Sequence, residues 1–378
     1  MKKINIVDYL RENRNKLTKL QMATDLGFTR DKVRRLMTKH KIVTDELTVD
    51  SDIEEMRKQR EATSISNKYR ELIRRLEATE KERDAVKRLQ RPTHTHHIEP
   101  SVPCGTGEAT AFIIGSDWHI EETVKRDAVN GRNEFNLEVA RYRVDTFFSH
   151  ALKLLKKEQS AIRIKNVVLA LLGDFISGNI HDELLESCSL RPIDAILLAK
   201  DWITSGIKFL LENSDCHFTI VTSVGNHTRI TKQVHIANER GNNLEYFMYH
   251  VIAKEFASEP RIHFIIEDSY HTYVKVYDKT IRFHHGHAIK YGGGVGGLTI
   301  PVNKAIAQWN KTRVADLDVF GHWHQQFDGG SFLSNGSIIG YNAFALFIKA
   351  GFESPKQLFF LMDKTRGKTL VAPILFAK

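Results

Sequence analysis

The chain has 378 residues, 42% apolar and 27% charged, enough to bury a large core and, by length, to form two or three domains. No run approaches the roughly 18 apolar residues of a membrane helix, charges recur too early for a signal peptide, and Cys104, Cys188 and Cys216 lack the paired spacing of a disulfide framework or zinc ribbon, so a cytoplasmic setting is expected. The net charge is +9, and residues 1–92 alone carry 24 Lys and Arg against 16 Asp and Glu, an asymmetry that points to a polyanionic partner for the first quarter of the chain.

Residues 3–42 read as three short helices. Apolar positions recur at helical spacing from Ile4 to Leu10. A second helix runs from about Thr18 to Leu26, Gly27 breaks it, and Thr29 caps a third that runs to His40. Ala23 is the small residue where two helices cross, and Leu26, Val33 and Leu36 form an inward face. This pattern resembles helix-turn-helix DNA-binding domains. The resemblance implies a DNA-binding module over residues 1–45, with Arg30, Arg34 and Arg35 exposed beside Thr29 and Thr38 on the third helix. There Arg bridges guanine edges or pairs with phosphates.

Residues 46–91 are highly charged and poor in breakers. Ile65, Tyr69, Leu72, Leu76, Val86 and Leu89 give a thin apolar stripe, interrupted at Thr79 and Arg83. A long helix with coiled-coil potential is expected, and with it a route to homo-oligomers. Residues 92–109 are rich in Pro, Thr, Gly and His, a linker composition, in which His94, His96 and His97 are expected to bind nothing stable.

From Thr110 the texture becomes that of an α/β domain reaching to residue 378. Strands are expected at Ala111–Gly115, Val167–Leu172, Phe218–Val224, Thr280–Phe283 and Leu317–Phe320. Helices are expected at 136–157 and 191–212, and a terminal hairpin around Lys364-Thr365-Arg366-Gly367. Each of the five strands runs into a cluster of metal-ligand type. In order these are Asp117-Trp118-His119, Gly173-Asp174, Gly225-Asn226-His227, His285-Gly286-His287 and Gly321-His322-Trp323-His324. Ligands at strand C-terminal ends converge on one crevice of an α/β sheet. Carboxylate and amide oxygens with imidazole nitrogens suit Mn²⁺, Fe or Zn²⁺ better than Mg²⁺ or a thiolate metal. One such cluster is common by chance; five in order, each after an apolar strand, are not.

Over roughly residues 110–330 this ordered set closely resembles the calcineurin-like metallophosphoesterase family, which includes a repair-exonuclease branch. The resemblance implies a four-layer α/β/β/α sandwich holding two divalent metal ions, Mn²⁺ foremost. It places Asp117, His119 and His324 on one metal, Asn226, His285 and His322 on the other, Asp174 between them, and His227 beside the substrate phosphate. Two cations about 3.5–4 Å apart bind phosphate oxygens and share a hydroxide that attacks phosphorus in line, and an imidazole at His227 protonates the leaving alkoxide. One departure stands out. The family usually carries an acidic residue after Gly-Asn-His, whereas Thr228 and Arg229 follow here, so the group that orients His227 must come from elsewhere. Arg229, His181 and His287 are candidate substrate contacts. The segment from Tyr291 to Gly297 lacks the lysine of a P-loop and reads as a flexible lid.

Three functions fit these features: a metal-dependent DNA nuclease delivered by the basic module, a phosphomonoesterase or protein phosphatase, and a DNA-binding regulator with a phosphoesterase-like scaffold. The full ligand set argues against the scaffold. The basic module favours the nuclease by association.

Overall fold

The computed structural model describes residues 5–43, 96–98, 107–180, 184–290 and 297–376, with scattered positions between 57 and 77. The chain divides into two compact units, Met1–Thr93 and His94–Lys378.

The first unit opens with α1 (Ile6–Asn13), α2 (Lys19–Leu26) and α3 (Arg30–Lys39). Their ends follow from local chemistry. Thr18 and Gln21 form a reciprocal capping box that satisfies two N–H groups left open at the start of α2. Gly27 ends α2 in the left-handed conformation, at φ 63°. The Thr29 side chain then accepts from the Lys32 N–H and caps α3. Leu10, Met22, Ala23, Val33 and Met37 form the buried core, with Leu26 and Leu36 packed half-buried against it. The described positions between 57 and 77 are helical (α4). The apolar stripe from Ile65 to Leu89 lies outside the described residues.

The second unit is a sandwich of two six-stranded sheets between helices. The first sheet runs β12–β11–β2–β3–β4–β5, built from β2 (Ala109–Gly115), β3 (Asn166–Leu171), β4 (His217–Thr222), β5 (Ile262–Ile265), β11 (Lys356–Asp363) and β12 (Gly367–Leu375). Strands β2 to β5 are parallel, and the terminal hairpin adds antiparallel to β2. The second sheet runs β1–β6–β7–β8–β10–β9, built from β1 (His96–Ile98), β6 (Thr272–Val276), β7 (Lys279–His284), β8 (Leu317–Phe320), β9 (Phe327–Asp328) and β10 (Phe332–Ser334).

The alternation of side chains along a strand explains the layers. In β2, Phe112 and Ile114 join Val168, Ala170, Val274, Phe283 and Val319 between the sheets. Ala111 and Ile113 face the opposite way, into a core shared with α5 (Leu137–Gln159), α7 (Pro192–Glu212) and α8 (Leu244–Glu255). On the far side of the second sheet, Val302 and Ile306 of α9 (Thr299–Trp309) pack on Phe320 and Phe332. The order is α/β/β/α. Two short helices, α6 (Leu184–Ser187) and α10 (Ala343–Phe347), lie in loops. Among the described residues, no helix is long and apolar enough to cross a membrane.

The stretch read as linker contributes an edge strand. β1 pairs in parallel with β6, His96 opposite Val274, and buries Ile98 between the sheets. An edge strand needs free backbone groups and one apolar anchor, and a Thr/His-rich segment supplies both.

Candidate metal centre

The ligand-type residues occupy the first positions beyond five strands. β2, β3 and β4 of the first sheet lead to Asp117 and His119, Asp174, and Asn226 and His227. β7 and β8 of the second lead to His285 and His287, and to His322 and His324. The crevice is therefore shared by two sheets, not cut into one. Among the described residues nine non-glycines have positive φ, and five of them are Asp117, His119, Asp174, His322 and His324, at 56°, 48°, 55°, 70° and 54°. Each such residue costs about 1–3 kcal/mol, a strain that gathers where side chains must be aimed. Trp118 shows how it is sustained. Fully buried, with its ring edge-on to Phe147 and Phe175, it pins the turn into the core between Asp117 and His119.

The donors form two groups. The ligand atoms of Asp117, His119 and His324 lie within 4.8 Å of one another, and so do those of Asp174, His285 and His322. The rings of His119 and His324 are 5.1 Å apart, as are those of His285 and His322. His227 borders the first group, its ring 4.8 Å from that of His119. Asn226 Oδ1 and His119 Nε2 are buried without a hydrogen-bond partner. Stranded polar atoms of this kind cost about 1–3 kcal/mol each, and coordination to a cation is one way to satisfy such an atom. Oxygen donors with imidazoles suit a borderline divalent ion, so the residues fit the metal pair that the sequence leads one to expect.

The remaining polar atoms hold these donors in place. His119 Nδ1 meets Ser177 Oγ at 2.9 Å and His285 Nδ1 meets the Leu172 carbonyl at 2.7 Å, which leaves Nε2 of each ring for a metal. The Asp117 carboxylate accepts from the His322 N–H and from the Ser116 hydroxyl, itself held by Asn335. Asp174 Oδ1 accepts from the His227 N–H at 2.8 Å, while its Oδ2 lies 2.9 Å from His285 Nε2. Burial, then His227 and His324, lower the His119 pKa and keep the ring neutral. Burial opposes charge on Asp174, but His285, His227 and His119 outweigh it and hold the carboxylate ionised. Burial also opposes charge on His285, and Asp174 overrides it and raises that imidazole.

Several supports escaped the sequence reading. Glu245, in the first turn of α8, is fully buried and accepts from the Phe175 N–H at 2.8 Å and the Gly225 N–H at 2.7 Å, clamping the turns after β3 and β4. Burial and the nearby Asp174 push its carboxyl up to about 8. Glu121 accepts from the N–H groups of Ser177 and Gly178, both at 2.8 Å, and burial pushes it up to about 7. An acidic residue at a helix start reads as a dipole partner, and one beside a ligand reads as solvated, so neither carried a signal.

The other sequence candidates fall differently. His287 flanks the second group, its Nε2 3.0 Å from Glu239 and its ring 5.5 Å from that of His285. Arg229 donates to the Asn226 carbonyl at 2.5 Å and so braces the ligand loop itself. The His227 Nδ1 lies 3.0 Å from the Ser177 carbonyl, while the Thr228 hydroxyl donates to Asn243. A backbone carbonyl, and not a carboxylate, therefore faces the His227 Nδ1. In the first unit Arg34 and Arg35 are exposed, Arg30 is half-buried, and Arg34 lies 3.1 Å from Asp31. His181 and residues 291–296 of the expected lid lie outside the described residues.

No family model matches the chain, and no curated protein matches it. Solved structures similar to it include a conserved uncharacterised protein, a predicted phosphoesterase, of Streptococcus pneumoniae, at 13% identity and TM-score 0.29, covering 70% of this chain and 90% of that one. A hypothetical protein of Pyrococcus horikoshii gives 13% identity and TM-score 0.34, covering 72% and 89%. Vacuolar Protein Sorting 29 of Cryptosporidium parvum gives 13% and 0.26, covering 71% and 97%. Likeness at that level carries no argument about activity, which rests on this chain's own geometry.

Proposed function

We propose that the chain is a metal-dependent phosphodiesterase acting on DNA. The reading is carried by the convergence of two donor groups, Asp117 with His119 and His324, and Asp174 with His285 and His322, in the first of which His119 Nε2 is buried and unsatisfied. Two divalent cations held there, Mn²⁺ foremost with Fe or Zn²⁺ as alternatives, supply positive charge to phosphate oxygens and a water acidic enough to be the nucleophile. The protein's own groups do the remainder. Asp174, ionised and placed by the His227 N–H, belongs to the second group and supplies the negative charge that draws cations in. His227 keeps its Nδ1–H on the Ser177 carbonyl, so as an imidazolium it presents Nε2–H to the leaving alkoxide.

DNA as substrate is supported by the +8 balance of residues 1–92 and by Arg30, Arg34 and Arg35 on α3. Cys188 and Cys216 are unpaired, in keeping with a cytoplasmic setting. DNA, RNA, a chromogenic diester and a monoester, each assayed with Mn²⁺, test the reading. Cleavage of DNA and the diester is expected. Phosphate release from the monoester alone would replace it with a phosphatase.

A further inference from the structure

An apolar surface flanks the first donor group. α10 and the turn after it expose Phe344 (61%), Phe347 (79%), Ile348 (52%) and Phe352 (47%). Such a cluster is unfavourable in water unless a partner covers it. Two ties hold it beside the ligands. Glu122 accepts from Asn342 Nδ2, the cap of α10, at 3.0 Å, and from the Ser177 hydroxyl at 3.0 Å, and that same hydroxyl meets the metal-ligand candidate His119. On the other flank, Gln325, next to His324, donates to the Gly351 carbonyl at 3.1 Å, and the Gln326 N–H donates to Glu353 at 2.8 Å.

Cations ring the same surface. The Arg132 guanidinium lies over the Phe352 ring, 5.1 Å from its centre. Lys349 is exposed within the turn, and Lys125 is exposed at the start of a short 3-10 turn that packs beside α10. Flat exposed rings interleaved with cations match single-stranded nucleic acid, whose bases stack while its phosphates meet positive charge. A duplex keeps its base faces inside and offers Phe344 and Phe347 nothing to stack on.

We propose that α10 and the turn through Phe352 form a base-stacking platform that leads one strand of nucleic acid to the first donor group. The proposal rests on the phosphodiesterase reading. Its test is the affinity of the full chain for a fluorescent single-stranded oligothymidylate, read by anisotropy in a chelator so that nothing is cut. Replacing Phe344 and Phe347 together by Ala should weaken binding about thirtyfold or more, the product of about fivefold or more at each ring. The factor should be the same at low and high salt, because stacking releases no counterions. Leu at both positions keeps apolar area without a flat face and should recover little of the loss. Arg132→Ala with Lys349→Ala should weaken binding by a factor that shrinks as salt rises. Hydrolysis of a small diester with Mn²⁺ should be unchanged in every variant. Unaltered oligothymidylate affinity in the double Phe variant overturns the proposal, as does full recovery by Leu, or a dimer in sedimentation that the Phe substitutions dissolve. If the intact chain cuts neither oligonucleotide nor small diester with any of the three metals, the phosphodiesterase reading fails, while the binding comparison in chelator still decides whether the platform exists.

Discussion

Ser177 serves both halves of the site from one backbone position. Its hydroxyl donates to Glu122, so the oxygen accepts the Nδ1–H of His119 and leaves that ring's Nε2 lone pair to a cation. Its carbonyl faces His227. Ser177→Ala removes the first function and keeps the second. Mn²⁺ affinity at the first group should fall about 10–100-fold, as direct metal titration would read, with the second cation bound as before. Ser177→Thr should restore it. Unchanged affinity in the Ala variant would reduce the hydroxyl to packing. His227→Asn probes the other half. It should keep both metals yet slow turnover by roughly 10²–10⁴-fold, with a smaller loss on a nitrophenyl ester, whose leaving group needs no proton. Equal losses on good and poor leaving groups would assign His227 to phosphate binding.

The Asp174–His285 pair makes metal binding depend on pH. Asp174 raises the His285 imidazole in the metal-free site, so an arriving cation must displace a proton. Apparent affinity should therefore fall as pH falls, by about tenfold per unit for each proton released, across the range below the raised pKa. Mn²⁺ titrations at several pH values with proton release followed in parallel would show it, and a pH-independent affinity would mean that the imidazole is already neutral. Asp117, His119, Asp174 and the distal histidines were legible because His, Asp and Asn immediately after apolar strands have few structural duties there. Ser177, Glu121 and Glu245 were not, because such residues are ordinary in loops and at helix starts, and only the fold brings them under the ligands.

At the level of elements, the turns that follow the strands are as specific as the ligands. A Cβ on Gly225 would sit 2.0 Å from Asp174 Oδ1, and one on Gly321 would sit 2.4 Å from Asp117 Oδ2. Neither glycine has positive φ, so what Ala would violate is the close approach of a candidate ligand carboxylate. Gly321→Ala should displace Asp117 and empty the first group of metal, while the far-UV spectrum stays that of the wild type. Retention of two cations per chain would show that the carboxylate can yield without losing its ligand role. The strands leading to these turns could be read because burial on both faces demands continuous apolar runs, as in β2 and β3. β1 could not, since an edge strand of three residues with one buried anchor leaves no periodicity to find. Nor could the division of the ligands between two sheets, because sequence order alone does not say which sheet a strand joins.

At the scale of the molecule, the change in texture near residue 110 announced the α/β domain, but the compact unit begins at His94. The difference matters for separating the basic module from the candidate metal centre. A chain begun at Thr110 would lose β1, withdraw Ile98 from the core between the sheets and bare the edge of β6. Residues 94–378 are the piece to compare with the intact protein. That piece should bind two metals and hydrolyse a small diester as the whole chain does, because every ligand candidate lies within it. It should hold duplex DNA much more weakly, since +8 of the +9 charge lies in residues 1–92. The affinity of the intact chain should fall steeply with salt, the logarithmic slope being about −0.9 for each phosphate neutralised. Replacing the exposed Arg34 and Arg35 by Ala should flatten that slope by up to about two contacts and leave diester turnover untouched. Equal cutting of DNA by the 94–378 piece and the intact chain would detach the module from catalysis, and sedimentation of the full chain would then ask whether residues 46–91 serve self-association instead.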